Sequence, residues 1–228
     1  MKLLSIITGV LLLAATASAV RVSDINQAVV ERIYDNYQLD PQYYQVEVLA
    51  SSLKTDYNDS LDIIIESLSQ KEPRGLFTVL ASLYKDKVFV EKGQVRLRIN
   101  KFAEVLVTTA KIERNEVLSE DKFTLKMMDI TSLQEQPVES FDAINGYRSK
   151  RNLFIGRILT SDAVEPVPDI DVGREVSIVY TSGLFSVSTT GKALQKGWTG
   201  DYVKVRNNDS GKIILARVVD EGAVVIDP

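Results

Sequence analysis

Val95, Leu97 and Ile99 alternate with Arg96 and Arg98, and the same two-residue rhythm recurs through most of this 228-residue chain. Alternation of this kind puts apolar side chains on one sheet face and polar ones on the other, as half-buried strands require. A four-residue step occurs early. Ile25, Val29 and Ile33 share a face with Ala28 beside them, which predicts an amphipathic helix over 22–37. Ser23 is placed to cap it, and Pro41 ends the region. Strands are expected at 43–49 and at 61–68, where a short helix is nearly as compatible. A hairpin follows over 75–84 and 87–100.

Beyond residue 100 the elements shorten. An apolar strand is expected at 104–110, then a turn, a short helical turn capped by Ser119, and a strand at 123–127. The polar stretch 131–141, with Pro137, reads as an exposed excursion. Residues 146–159 and Val164 return to strand-like patterning. Pro166-Val167-Pro168-Asp169 reads as a stiff linker, because proline restricts both its own backbone and that of the residue before it. Five short strands are then expected at 174–181, 184–190, 201–206, 212–219 and 223–226. Turn residues at 182–183, 197–200, 209–211 and 221–222 separate them. That spacing predicts a small β-barrel or sandwich. The expected fold class is therefore mainly β with some α.

The segment GKALQKGWTGDYVKVRNNDSGK, from Gly191 to Lys212, combines G-x-A-L-x-x-G-x-x-G with V-x-V-R-N and S-G-K. It resembles the C-terminal module of the flagellar basal-body P-ring formation proteins, the FlgA family. Residues 101–165 resemble a SAF module, a small β-clip fold whose first motif usually reads A-x-x-I-x-x-G-x-x-L. Here that motif is carried by Ala110, Ile112 (one position closer than usual), Asn115 and Leu118. Asn115 stands where the family usually has glycine, and asparagine is the commonest other residue at left-handed backbone angles.

Pattern and resemblance together divide the chain into a signal peptide (1–19), an N-terminal α+β domain (20–100), a SAF-like β-clip domain (101–165) and a C-terminal β-barrel domain (166–228). The resemblance implies a periplasmic chaperone that binds P-ring subunits, with no catalysis and no cofactor. Short strands with unpaired edges, 201–206 with Val203 and Val205 among them, would accept a partner strand by β-augmentation. The alternative is a saccharide- or peptidoglycan-binding SAF protein or a pilus-assembly factor. A third class, a hydrolase, would need an active site built from acids alone.

The first residues support export. Lys2, the apolar run 3–15 and Ala17-Ser18-Ala19 have the order of a signal peptide, with cleavage expected between Ala19 and Val20. The apolar run is too short to span a bilayer, so no membrane attachment is expected after cleavage. The localisation expected is the periplasm.

Composition narrows the chemistry. The chain has no histidine and no cysteine, which removes Ser-His-Asp and Cys-His nucleophile systems, disulfides and the usual zinc ligand sets. No catalytic, cofactor-binding or metal residue is assigned. Ser210-Gly211-Lys212 looks like a Ser-Lys dyad but sits in a turn sequence. Asp169-Ile170-Asp171 lacks the later ligands of a calcium loop. The formal net charge is −4, with both signs interspersed and no basic stripe, so nucleic acid is not an expected partner. Two features are candidates for partner binding. One is the basic cluster Arg148, Lys150 and Arg151, with Arg157 nearby, which could meet an acidic partner or cell-wall polymer. The other is Trp198 with Tyr202, in and beside a glycine-bounded loop.

Overall fold

The computed structural model describes residues 25–54, 61–66, 72–182 and 185–226. The expected signal peptide, its Ala19–Val20 junction, the Ser23 cap and the ends of two predicted strands (67–68 and 184) lie outside the described residues. The chain forms two compact units.

The first unit comprises residues up to 104 together with 127–134. Its helix α1 (Ile25–Tyr37) buries Ile25, Ala28, Val29 and Ile33, the face set by the four-residue step. The strands are β1 (Tyr44–Ser51), β2 (Asp62–Glu66), β3 (Gly75–Lys85), β4 (Val88–Thr108) and β5 (Phe123–Asp129). They run in the order β1-β4-β3-β2, and β5 also pairs with β4. The segment 61–68 thus resolves as a strand over its described part. Asp86 and Lys87 join β3 to β4 with φ of 50° and 68°, the paired positive angles that match the twist of a tight hairpin.

Val79, Ala81, Leu83, Val95, Leu97 and Ile99 form one apolar cluster with the buried face of α1. Each large aliphatic side chain so buried contributes roughly 1.5–3 kcal/mol. Arg96 and Arg98 take the opposite, exposed face. A slip of one residue would drive both guanidinium groups into the core, so register is strongly specified.

The strands expected at 87–100 and 104–110 are a single 21-residue element, β4. The bridging residues Lys101-Phe102-Ala103 contain no glycine or proline, and Lys101 still pairs with Tyr44 across the ladder.

The second unit comprises 105–126 and 135–228. One apolar cluster gathers Leu106, Ile112, Leu118, Phe123, Val138, Ile144, Leu153 and Leu159, with Ala163 and Val164. Isolated bridges, Val107 to Ile158 and Ile112 to Leu153 among them, tie its loops together. The paired strands here are β6 (Tyr147–Ser149) and β7 (Val164–Pro166). Asn115 has φ of 66°, the left-handed angle expected where asparagine replaces glycine. A 3-10 turn at Glu120–Lys122 follows Ser119, but the serine side chain makes no capping bond.

The stretch 131–141 is not wholly an exposed excursion. The Val138 N–H donates to the Leu159 carbonyl at 2.9 Å, and its own carbonyl accepts from the Leu106 N–H at 2.8 Å. That pairing on both sides carries the Val138 side chain into the core despite polar neighbours.

The other cluster of this unit fills a closed barrel of β8 (Glu175–Ser182), β9 (Phe185–Ala193), β10 (Tyr202–Asn207), β11 (Ile213–Asp220) and β12 (Ala223–Ile226). The order is β10-β11-β12-β8-β9, with β12 and β8 parallel and the other pairs antiparallel. Val203 and Val205 point inward with Val176, Ile178, Ala216 and Val218. Closure corrects the β-augmentation expectation for this module. Strand β10 already has β9 and β11 as neighbours, so it offers no free edge.

Two motif glycines are required by close approach. A Cβ on Gly191 would stand 2.5 Å from Ile178 Cδ1 and 2.8 Å from the Arg206 carbonyl oxygen. One on Gly197 would stand 2.5 Å from Val203 Cγ1.

Candidate binding cleft

A cleft of about 590 Å³ opens in the second unit, and an ion-pair network forms its floor. Arg148 on β6 stands opposite Glu165 on β7 in the ladder. Its Nε donates to Glu165 Oε1 at 3.0 Å. The same guanidinium pairs with Asp171, through Nη1 to Oδ2 and through Nη2 to Oδ1 at 3.4 Å. Lys196 bonds the other oxygen of Glu165 and lies 5.8 Å from the Trp198 ring centroid. Arg114, Asn115, Lys150 and Val172 complete the walls.

The network keeps its carboxylates ionised. Burial pushes the Glu165 carboxyl up, but hydrogen bonds from Lys196 and Arg148 outweigh it and hold the group below its ordinary range. Hydrogen bonding from Arg148 likewise lowers Asp171. Arg148 shows the converse: burial works against its charge, and the bonds to Asp171 and Glu165 prevail, raising its pKa.

The residues singled out from the sequence separate. Arg148 is not a surface cation, as its place in a basic cluster suggested. It is 4% exposed, and both of its acid partners belong to this chain. Arg151 pairs with Asp162 at 2.9 Å. Lys150 is exposed at the cleft wall, with its backbone N–H fixed to the Ala163 carbonyl. Trp198 donates from Nε1 to the Val167 carbonyl at 3.1 Å, and Tyr202 is exposed on the barrel. Ser210 belongs to its turn: its Oγ and N–H both donate to Asn207 Oδ1.

The Pro166–Asp169 stretch is not a free linker. Pro166 pairs with Tyr147 in the β6–β7 ladder, and the Val167 N–H donates to the Gly146 carbonyl. The Asp169 carboxylate accepts from the Thr199 N–H and hydroxyl at 2.6 and 2.7 Å. The bonds from Trp198 and Thr199 make two of this stretch's residues part of the barrel surface.

Sequence reasoning missed Arg114, Glu165, Asp171 and Lys196. A faint signal existed for Asp171, in the acid pair after the prolines. Nothing local marks the others: the partners of Glu165 and Lys196 lie 17 and 31 residues away, and the Arg114 N–H bonds Asn152, 38 residues on.

A family model described as a chaperone for flagella basal body P-ring formation matches residues 103–226. The flagellar protein FlgA of Rhizobium meliloti (strain 1021) is 29% identical over 106 residues, which is 46% of this chain and 63% of that protein, less than two thirds of its length. The flagella basal body P-ring formation protein FlgA of Buchnera aphidicola is 21% identical over 215 residues, covering 94% of this chain and 92% of that one. Among solved structures, the open form of Salmonella FlgA aligns with a TM-score of 0.51 at 20% identity, over 89% of this chain and 93% of that chain. Thermotoga maritima flagellar protein FlgA aligns with a TM-score of 0.53 at 20% identity, over 89% and 71%. Both structural likenesses concern the fold. With more than half of its length under the family model, this chain belongs to the family of chaperones for flagella basal body P-ring formation.

Proposed function

We propose that this chain acts in the periplasm, where it holds unassembled P-ring subunits until they join the ring. The observation that carries the reading is the family match across 103–226. A helper of this kind draws its effect from binding the unassembled subunit better than the assembled one, and needs no other energy source. The order of residues 1–19 supports export. The lack of histidine and cysteine supports a binding role over a catalytic one.

Within this reading, residues 20–100, 101–165 and 166–228 act as three modules, the second of them SAF-like. In support, each of the three apolar clusters draws its residues from one of these ranges.

The experiment is direct. Purified ring subunit is diluted from denaturant with and without the purified chain, and light scattering is followed. Suppressed aggregation at stoichiometric ratio is expected, together with loss of P-rings in a deletion strain and their return on complementation. A deletion strain that builds complete rings, or purified chain that leaves subunit aggregation unchanged, overturns the reading.

A further inference from the structure

We propose that the cleft over the Arg148 network is a binding site for an acidic polypeptide segment, gripped by the side chains of Arg114 and Lys150. Four cations line it, Arg114, Arg148, Lys150 and Lys196, against two acids, Glu165 and Asp171. Both acids are already engaged, by Arg148 and Lys196. Arg114 and Lys150 are exposed, and neither makes an ion pair among the described residues. The cleft therefore keeps two unneutralised positive charges on a chain whose formal net charge is −4. An anionic group entering it is attracted by both charges, an attraction that salt screens.

The two cations stand on fixed backbone. The Arg114 N–H donates to Asn152 Oδ1 at 2.9 Å, and the Lys150 N–H to the Ala163 carbonyl at 2.8 Å. Near them the Arg148–Glu165 pair is buried, and the hydrogen bonds within the network hold its carboxylates in the charged form. Arginine offers a planar fork that matches a carboxylate, and lysine a mobile point charge. Asn115 adds an amide where its glycine counterparts would have none.

The lining favours polypeptide over sugar. Val172 is 62% exposed beside the charges, which suits an aliphatic side chain next to an acid. Among the described residues no aromatic ring lines the cleft to stack on a pyranose face. That the segment belongs to a ring subunit rests on the chaperone reading; that it is acidic polypeptide does not.

The test uses the full chain and a fluorescein-labelled peptide alternating glutamate with valine, with a glutamine–valine peptide as control. Fluorescence anisotropy is expected to show the acidic peptide binding about tenfold or more tightly than its neutral counterpart, weakening as salt rises. The Arg114→Ala/Lys150→Ala double variant should lose about tenfold or more of that affinity. Arg157→Ala, outside the cleft, should lose none. Asn115→Gly keeps the backbone angle and should lose a smaller part. Urea unfolding of each variant verifies folding.

Equal binding of the two peptides, no binding of either, or full binding by the folded double variant overturns the proposal. So does sedimentation with purified peptidoglycan that needs Arg114 and Lys150 while peptide binding does not. If wild type and double variant protect the ring subunit equally, the cleft is not the subunit's site and the chaperone reading stands. If wild type gives no protection, that reading fails whatever the peptide does.

Discussion

Thr108 grips Arg157 through both backbone and side chain. Its N–H donates to the Arg157 carbonyl at 3.0 Å, and its Oγ1 accepts from the Arg157 N–H at 3.0 Å. The same hydroxyl donates to the Phe154 carbonyl at 2.6 Å, and the Thr108 carbonyl accepts from the Gly156 N–H at 2.7 Å. One buried threonine thus fixes a turn that carries the exposed side chains of Phe154 and Ile155. Thr108→Val keeps the shape and removes the hydroxyl, leaving Phe154 and Arg157 backbone groups without it. A loss of about 1–3 kcal/mol is expected from urea unfolding, with faster exchange of the Arg157 amide. Thr108→Ser should retain most of the stability.

Acid should loosen the Arg148 network. Glu165 and Asp171 are held below their ordinary values of 4.5 and 3.8. Their folded pKa values are lower than their unfolded ones, so their stabilisation is present above the unfolded values and is lost as pH falls through the folded ones. The urea midpoint is expected to drop between about pH 5 and about pH 3. Asp171 is partly exposed, so solvent screens its share and Glu165 dominates. In Glu165→Gln that dependence should flatten. At neutral pH the variant should lose about 3 kcal/mol, because Arg148 stays buried with one acid partner removed.

Alanine at Gly191 should damage the barrel. The new Cβ would meet the Ile178 and Val205 side chains and, at 2.8 Å, the Arg206 carbonyl oxygen, which cannot swing aside. A cost of about 1–3 kcal/mol in thermal or urea unfolding is expected. Gly222→Ala meets nothing within 4 Å and serves as the control, with a change within about 0.5 kcal/mol.

Asn115 separates backbone strain from chemistry. Asn115→Ala places a Cβ-bearing residue without a compensating polar group at φ of 66°, for about 1 kcal/mol of lost stability. Asn115→Gly should unfold at or above the wild-type midpoint.

The sequence carried most of what depends on short-range pattern. The four-residue step of Ile25, Val29 and Ile33 marks the buried face of α1, and turns at 199–200, 208–210 and 221–222 precede or separate barrel strands as the turn residues there predict. Asn115 was readable because left-handed backbone limits the residue choice. What stayed hidden depends on partners distant in the chain. Val138 is buried because Leu106 and Leu159 pair with it, though its neighbours are polar. Arg148 sits among basic neighbours in sequence, and only folding brings Glu165 and Asp171 to it. The continuity of β4 was not legible because the shortening of the elements beyond residue 100 resembles a boundary, while the backbone there contains nothing that breaks a strand. The prolines at 166 and 168 spoke for stiffness and were silent about Trp198 and Thr199, whose bonds fasten the stretch between them and Asp169.

The path of the chain constrains how this protein can be taken apart. It passes from one compact unit to the other at 104/105, 126/127 and 134/135, and β4 contributes residues to both. No single cut yields two intact pieces. Recombination that exchanges the first unit as one contiguous block leaves the 127–134 return behind, in the company of a foreign β4. Inheritance of the two units should therefore be joint, with changes near Lys101 compensated around Ile130, whose N–H donates to the Lys101 carbonyl at 2.8 Å.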